Sequence, residues 1–283
     1  MTLVCDNRIG RRAFLAMLGA GAAAGFAGAA EAPRRPNIVL VLADDLSPFE
    51  LGCYGQRKIR TPNLDRLAAE GMRFTACYSA CPVCAPSRCG LLTGLHMGHA
   101  QIRDNWERSR YDPKGGEGQW PLQAGTDTLP GRLRAAGYRT GCFGKWGLGG
   151  PDTPGRPLAQ GFDRFFGYNC QRHAHQYWPT YLWDDDRRVT LDNPSFPAHQ
   201  RLPKGADPDD PASYARFRGR TYAPDRIIAE AERFIAEADP ARPLFLFYAT
   251  PLPHVGLQPP EAEVDAYDFP EKPYLGQADY LPQ

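Results

Sequence analysis

The apolar positions fall into short blocks whose periods differ. Ile38-Val39-Leu40-Val41-Leu42-Ala43 is a continuous run ending on Asp44-Asp45, and Leu244-Phe245-Leu246-Phe247-Tyr248-Ala249 is a second, followed by Pro251-Leu252-Pro253-His254. Such runs fit strands buried on both faces, as in a parallel sheet under helices. Tyr138 to Phe143 reads as another strand, running into Gly144-Lys145-Trp146, and Met72 to Ser79 as one delivering the chain to Cys81 and Cys84. Between them the period changes. Thr61 to Gly71 predicts a helix with Thr61 as cap, Pro62 as first residue, Leu64, Leu67 and Ala68 on one face, and Gly71 as stop. Thr128 to Gly137 predicts a second helix. Pro224 to Ala238 is the clearest amphipathic helix, with Ile227, Ile228, Ala231, Phe234 and Ile235 as its stripe. Strands alternating with helices predict an α/β fold with a mostly parallel central sheet flanked by helices.

Ligands of open α/β sheets gather outside the carboxyl ends of the strands. Asp44-Asp45, Lys145 and His254 each follow a predicted strand, so one sheet edge would hold two carboxylates, an amine and an imidazole. Two adjacent carboxylates repel unless a cation or solvent relieves them. The alternative is a polar turn with a helix cap.

Cys84-Ala85-Pro86-Ser87-Arg88 supplies a nucleophile. Proline suits the first turn of a helix, which places Cys84 just before that turn, where free N–H groups favour an anion. Arg88, one turn on, returns over the same end. Cys84 also reads as a plain buried thiol or, with Cys81, as a Cys-x-x-Cys pair. No second such pair follows and no paired histidines lie at finger spacing, which argues against zinc, and Pro86-Ser87-Arg88 is not a thioredoxin-like context.

Composition narrows the rest. The 283 residues carry a formal net charge of +1, so nothing points to nucleic acid. Beyond the N-terminus no apolar run is long enough to cross a bilayer. Residues 1–32 stand apart: Arg11-Arg12-Ala13-Phe14-Leu15, a run of Ala and Gly, then Ala30-Glu31-Ala32 read as a cleaved twin-arginine export signal, which places the mature chain in the periplasm or outside the cell. Residues 33–283 form the main domain. Within it, 151–222 is rich in Pro, Gly, Asp, Tyr and Trp and reads as a loop-rich insertion walling a pocket. His173 and His175, two apart, would share a face of a strand and could reach that pocket.

Cys84 to Gly94 resembles the Cys-x-Pro-Ser-Arg signature of the sulfatases, a family of the alkaline-phosphatase-like superfamily. The resemblance implies that Cys84 is oxidised to formylglycine by a formylglycine-generating enzyme and that the hydrated aldehyde attacks a sulfate ester. It implies Asp44 and Asp45 as first ligands of a divalent cation shared with residue 84, calcium before magnesium. Lys145 would contact the sulfate, Arg88 would offset its charge and hold the diol, and His254 would protonate the leaving alcohol. The implied substrate is a sulfated small molecule or sulfated carbohydrate. Two rival readings are a related phosphoesterase and an inactive sulfated-glycan binding fragment. This chain departs from the family in two places. Gly147 stands where the common form Gly-Lys-Trp-His has histidine, for which His173 or His175 could substitute. Nothing after His254 matches the family's Asp-Asn-Gly, and Asp104-Asn105 and Asp192-Asn193 precede His254. The expectation is a member truncated at its carboxyl end, with the metal site half built.

Overall fold

Alternation along three strands decides how the molecule is layered. The computed structural model describes residues 35–111, 114, 116–198, 202–207, 210–254, 258–260, 262–263 and 266–267. Residues 1–32, read as an export signal, lie outside the described residues. The strands are β1 (Ile38–Asp44), β2 (Arg139–Lys145), β3 (Arg164–Tyr168), β4 (Tyr181–Asp184), β5 (Arg187–Thr190) and β6 (Leu244–Pro253). They form one sheet in the order β1-β6-β2-β3-β4-β5, parallel from β1 to β3 and antiparallel through β4 and β5. The helices are α1 (Pro62–Glu70), α2 (Cys84–Thr93), α3 (Arg108–Tyr111), α4 (Leu129–Ala135) and α5 (Ala223–Ala236). The expected α/β class and mostly parallel sheet are what this chain forms.

Successive strand residues point to opposite faces. Phe245, Phe247 and Ala249 of β6 join Cys142 and Phe165 in one core, closed by Ala85, Cys89 and Leu92 of α2 and by Leu129 and Leu133 of α4. Leu244 and Leu246 point the other way, with Phe143, Phe166 and Tyr168, against Ile227, Ala231 and Phe234 of α5. Each large apolar side chain so buried contributes about 1.5–3 kcal/mol. The sheet is therefore covered on both faces at its centre. Only 227, 231 and 234 of the expected α5 stripe are buried; Ile228 and Ile235 flank the contact and stay 39% and 45% exposed.

Four expectations are corrected. β1 is the edge strand, and Val39 and Val41 are 55% and 58% exposed, because α5 packs over β2, β3 and β6. Met72 to Ser79 forms no strand; side chains hold its backbone instead, as where Tyr54 donates to the Phe74 carbonyl. The stretch 151–222 contains β3, β4 and β5, each only four or five residues long and so too short to show a period. Thr61 makes no side-chain cap on α1; its hydroxyl accepts from the Gly52 N–H and donates to Asp65.

The middle strands approach closely. Gly144 has φ +110°, and a side chain there would overlap the Ala249 carbonyl of β6. A residue other than glycine is strained at that φ as well.

Candidate active site

β1, β2 and β6 lie side by side, so their carboxyl ends open at one edge. Asp44 ends β1, Lys145 ends β2, and His254 follows β6. Helix α2 delivers Cys84 to the same place. Ligand-capable atoms of Asp44, Cys84 and His254 all lie within 4.8 Å of one another. Lys145 Nζ donates to Asp44 Oδ2 at 2.5 Å and stands 3.5 Å from Cys84 Sγ.

This is a buried ion pair, since Lys145 has no exposed surface and Asp44 is 5% exposed. Opposite charges about 4 Å apart attract by about 4 kcal/mol at an effective dielectric of about 20. Arg88, also buried, joins them. Its Nη2 lies 3.5 Å from Asp44 Oδ1, and its Nη1 donates to the Lys145 carbonyl at 2.6 Å. Arg88 therefore ties α2 to the end of β2. Burial would push the Asp44 carboxyl up, but Lys145 and Arg88 together hold it below the usual carboxylate range. Burial likewise opposes ionisation of Cys84, and a hydrogen bond with His254 and the charge of Lys145 outweigh it, so that thiol sits below its ordinary value.

The helix begins earlier than its sequence suggests. Val83 is the extended N-cap, Cys84 is the first helical residue, and Pro86 is the third. Proline carries no N–H, so it is equally at home there, where the amide would lack a partner anyway. Asn105 Oδ1 accepts the Ala85 N–H at 2.8 Å.

Two histidines expected together are separated. His173–His175 is a 3-10 turn, not a strand, so the side chains diverge. His175 stacks on His254, ring centres 4.0 Å apart. His173 instead packs on Tyr181, ring centres 4.2 Å apart, and burial, aided by the charge of Arg188, pushes it down to about 4. Its Nδ1 is 3.9 Å from Glu117 Oε1, too far for a hydrogen bond, so desolvation outweighs that carboxylate. Asp45, with φ +62°, turns aside from Asp44 and is half-exposed, its Oδ2 3.4 Å from His254 Nε2.

Cys84 borders two cavities. One, about 230 Å³, is lined by Asp44, Asp45, Ser87 and Arg88. The other, about 360 Å³, is lined by Asn105, Gln171, His175 and His254. A larger hollow of about 960 Å³ lies along Gly52 to Arg73 and contains none of these groups, so size does not mark the chemistry here.

A nucleophile at a helix start, framed by carboxylates, a lysine and a histidine, has parallels among known proteins. Residues 36–277 match the Sulfatase family model. The chain belongs to the sulfatase family. It is 47% identical over 146 residues to N-acetylgalactosamine-6-sulfatase of Canis lupus familiaris, covering 50% of this chain and 27% of the relative. It is 36% identical over 223 residues to arylsulfatase A of Homo sapiens, covering 77% of this chain and 41% of the relative. The chain thus spans less than half the length of either. Among solved structures, BT4656 in complex with its substrate D-glucosamine-2-N,6-O-disulfate is 27% identical with TM-score 0.57, over 78% of this chain and 35% of that one. Ps i-CgsB in complex with k-i-k-neocarrahexaose is 25% identical with TM-score 0.63, over 83% and 49%. The mixed sheet with flanking helices is the alkaline-phosphatase-like fold of these sulfatases.

For a hard dication, this chain offers the Asp44 carboxylate beside residue 84, with Asp45 on the wall of the adjoining cavity, a suitable donor chemistry. Among the described residues the Asp44–Cys84–His254 cluster holds no further carboxylate, and both Asp44 oxygens face cations of the protein. The donor set fits the start of a coordination shell. Sequence reasoning missed three neighbours. Asn105 precedes His254 and so does not match the family's Asp-Asn-Gly, yet its Oδ1 accepts the Ala85 N–H in the first turn of α2. Tyr177 carries no signal beyond the aromatic richness of 151–222, yet its hydroxyl donates to the Pro251 and His254 carbonyls and so fixes the histidine loop. Gln171, a loop residue with no motif, lines the cavity beside Cys84.

Proposed function

We propose that this chain hydrolyses a sulfate ester at residue 84, matured from cysteine to formylglycine, beside a calcium ion at Asp44 and Asp45. The observation that carries the reading is the meeting of Cys84, Asp44, Lys145 and His254 at the ends of three adjacent parallel strands and one helix. Family membership supports it, as do relatives named for sulfated sugars or aryl sulfates.

When present, formylglycine supplies the attacking hydroxyl, and the dication supplies positive charge for that oxygen and for the sulfate. The chain's own residues do the rest. Lys145 Nζ, 3.5 Å from Sγ, is placed to donate to a sulfate oxygen as charge develops there. Arg88 stands behind it, bonded to the Lys145 carbonyl, and fixes the lysine relative to α2. His254, oriented by Asp45 and stacked on His175, gives a proton to the departing alcohol. Export by the twin-arginine route belongs to the same proposal, resting on Arg11-Arg12 and the alanine-rich run after them.

Cys84→Ala is expected to lower turnover of 4-nitrophenyl sulfate about a thousandfold or more. Hydrolysis at the parent's rate would overturn the reading. Mass analysis of the peptide around residue 84, from protein made with its maturation enzyme, should show loss of sulfur.

A further inference from the structure

Helix α2 opens with few ways to satisfy its own amides. Its N-cap is Val83, whose side chain accepts nothing. Pro86 has no N–H, and the Ser87 N–H reaches the Val83 carbonyl at 3.0 Å. The Ala85 N–H, one residue past the nucleophile, is met from outside the helix, where Asn105 Oδ1 accepts it at 2.8 Å. A donor must face an acceptor, so this bond fixes which way the amide points. Oδ1 is turned to the helix, and Nδ2, with its two hydrogens, is the other end.

That other end is uncommitted. Asn105 is an exposed residue on the wall of the cavity of about 360 Å³ that it shares with Cys84 and His254. Among the described residues its Nδ2 meets no acceptor. The neighbouring donors are engaged. Of the other amides on that wall, Gln171 donates to the Gly147 carbonyl at 3.3 Å and Gln119 to Cys170 Sγ at 3.7 Å. Lys145 Nζ is held by Asp44, and Arg88 by Asp44 and the Lys145 carbonyl. Asn105 therefore brings a neutral donor to residue 84 from a cavity that Asp44 and Asp45 do not line. A donor fixed in advance where negative charge grows lowers a barrier without reorganising.

We infer that Asn105 is a catalytic residue: its Nδ2 donates to a sulfuryl oxygen of the bound ester, while its Oδ1 holds that donor in place through the first turn of α2. The inference rests on the sulfate-ester reading and adds a contact to it. One side chain thereby ties the position of residue 84 to that of the group it attacks.

Two substitutions separate the donor from the cap, both in the full chain matured by its formylglycine-generating enzyme and supplied with calcium. Asn105→Asp keeps an oxygen for the Ala85 N–H, and a carboxylate suits a helix start, but the donor is gone. Asn105→Leu is neutral and loses both. Each is expected to lower kcat/KM for 4-nitrophenyl sulfate about a hundredfold, while only Asn105→Leu lowers the melting temperature. Activity near the parent's in either variant, or a lower melting temperature in Asn105→Asp, overturns the inference. So does a loss in Asn105→Asp that disappears, relative to the parent, in about 1 M sodium chloride, because salt screens repulsion between charges and does not replace a missing donor. A second measurement omits turnover. Calorimetric binding of 4-nitrophenyl sulfate to Cys84→Ala in the same salt is expected to weaken about tenfold when Asn105→Asp is added; equal binding, or none to Cys84→Ala itself, overturns the inference. A binding difference of that size in a parent that hydrolyses no sulfate ester overturns the reaction and leaves the Asn105 contact standing.

Discussion

Lys145 shows how one side chain can serve chemistry and stability together. It is fully buried, and its charge is balanced by Asp44 at 2.5 Å. Removing one partner of a buried pair strands the other. Lys145→Met is therefore expected to lower stability by about 3 kcal/mol at neutral pH in urea titrations, and Asp44→Asn in the same chain should recover part of the loss. The deficit should narrow in acid. The Asp44 carboxyl is held low in the folded state, so the stability it contributes is present above the unfolded carboxylate pKa and lost as pH falls through the folded value. The candidate residues differ in how far sequence reveals them. Asp44, Lys145 and His254 are visible because each follows a strand-like run. Asn105 and Gln171 lie in loops whose positions depend on how distant segments pack, and no local pattern records that.

Elements were legible where they were long enough to display a period. β6 and α5 span 10 and 14 residues, and their patterns announce them. β3, β4 and β5 are each half that length or less, and two of them are antiparallel ribbons at the sheet's far side. Strand order is invisible in any single run, which is why β1 could be read as buried on both faces. Close approach between strands is also an element-scale property. Gly144 pairs with Ala249 on one side and Gly167 on the other, leaving no space for a side chain. Gly144→Ala is expected to cost about 3 kcal/mol or more, from overpacking plus positive-φ strain. A denaturation midpoint equal to the parent's would show that β2 and β6 can separate without penalty.

For the whole molecule, acid sensitivity has an identifiable source. His173 is buried where the turn after β3 meets β4, and its pKa falls from about 6.5 unfolded to about 4 folded. The unfolded chain takes up a proton at higher pH than the folded one. This contribution is fully present above about 6.5 and fades as pH falls toward 4, with an upper limit of about 3 kcal/mol. Melting temperature should drop across that window, and His173→Gln should flatten the drop. An identical slope in the variant would assign the acid sensitivity elsewhere. The outermost strand sets a different limit. Val39 and Val41 face solvent on β1, and the second edge of β1 has no strand partner among the described residues. Concentrating this polypeptide would test the stickiness of one rim sooner than the strength of its interior, and a lysine at either valine would be the first remedy for clumping.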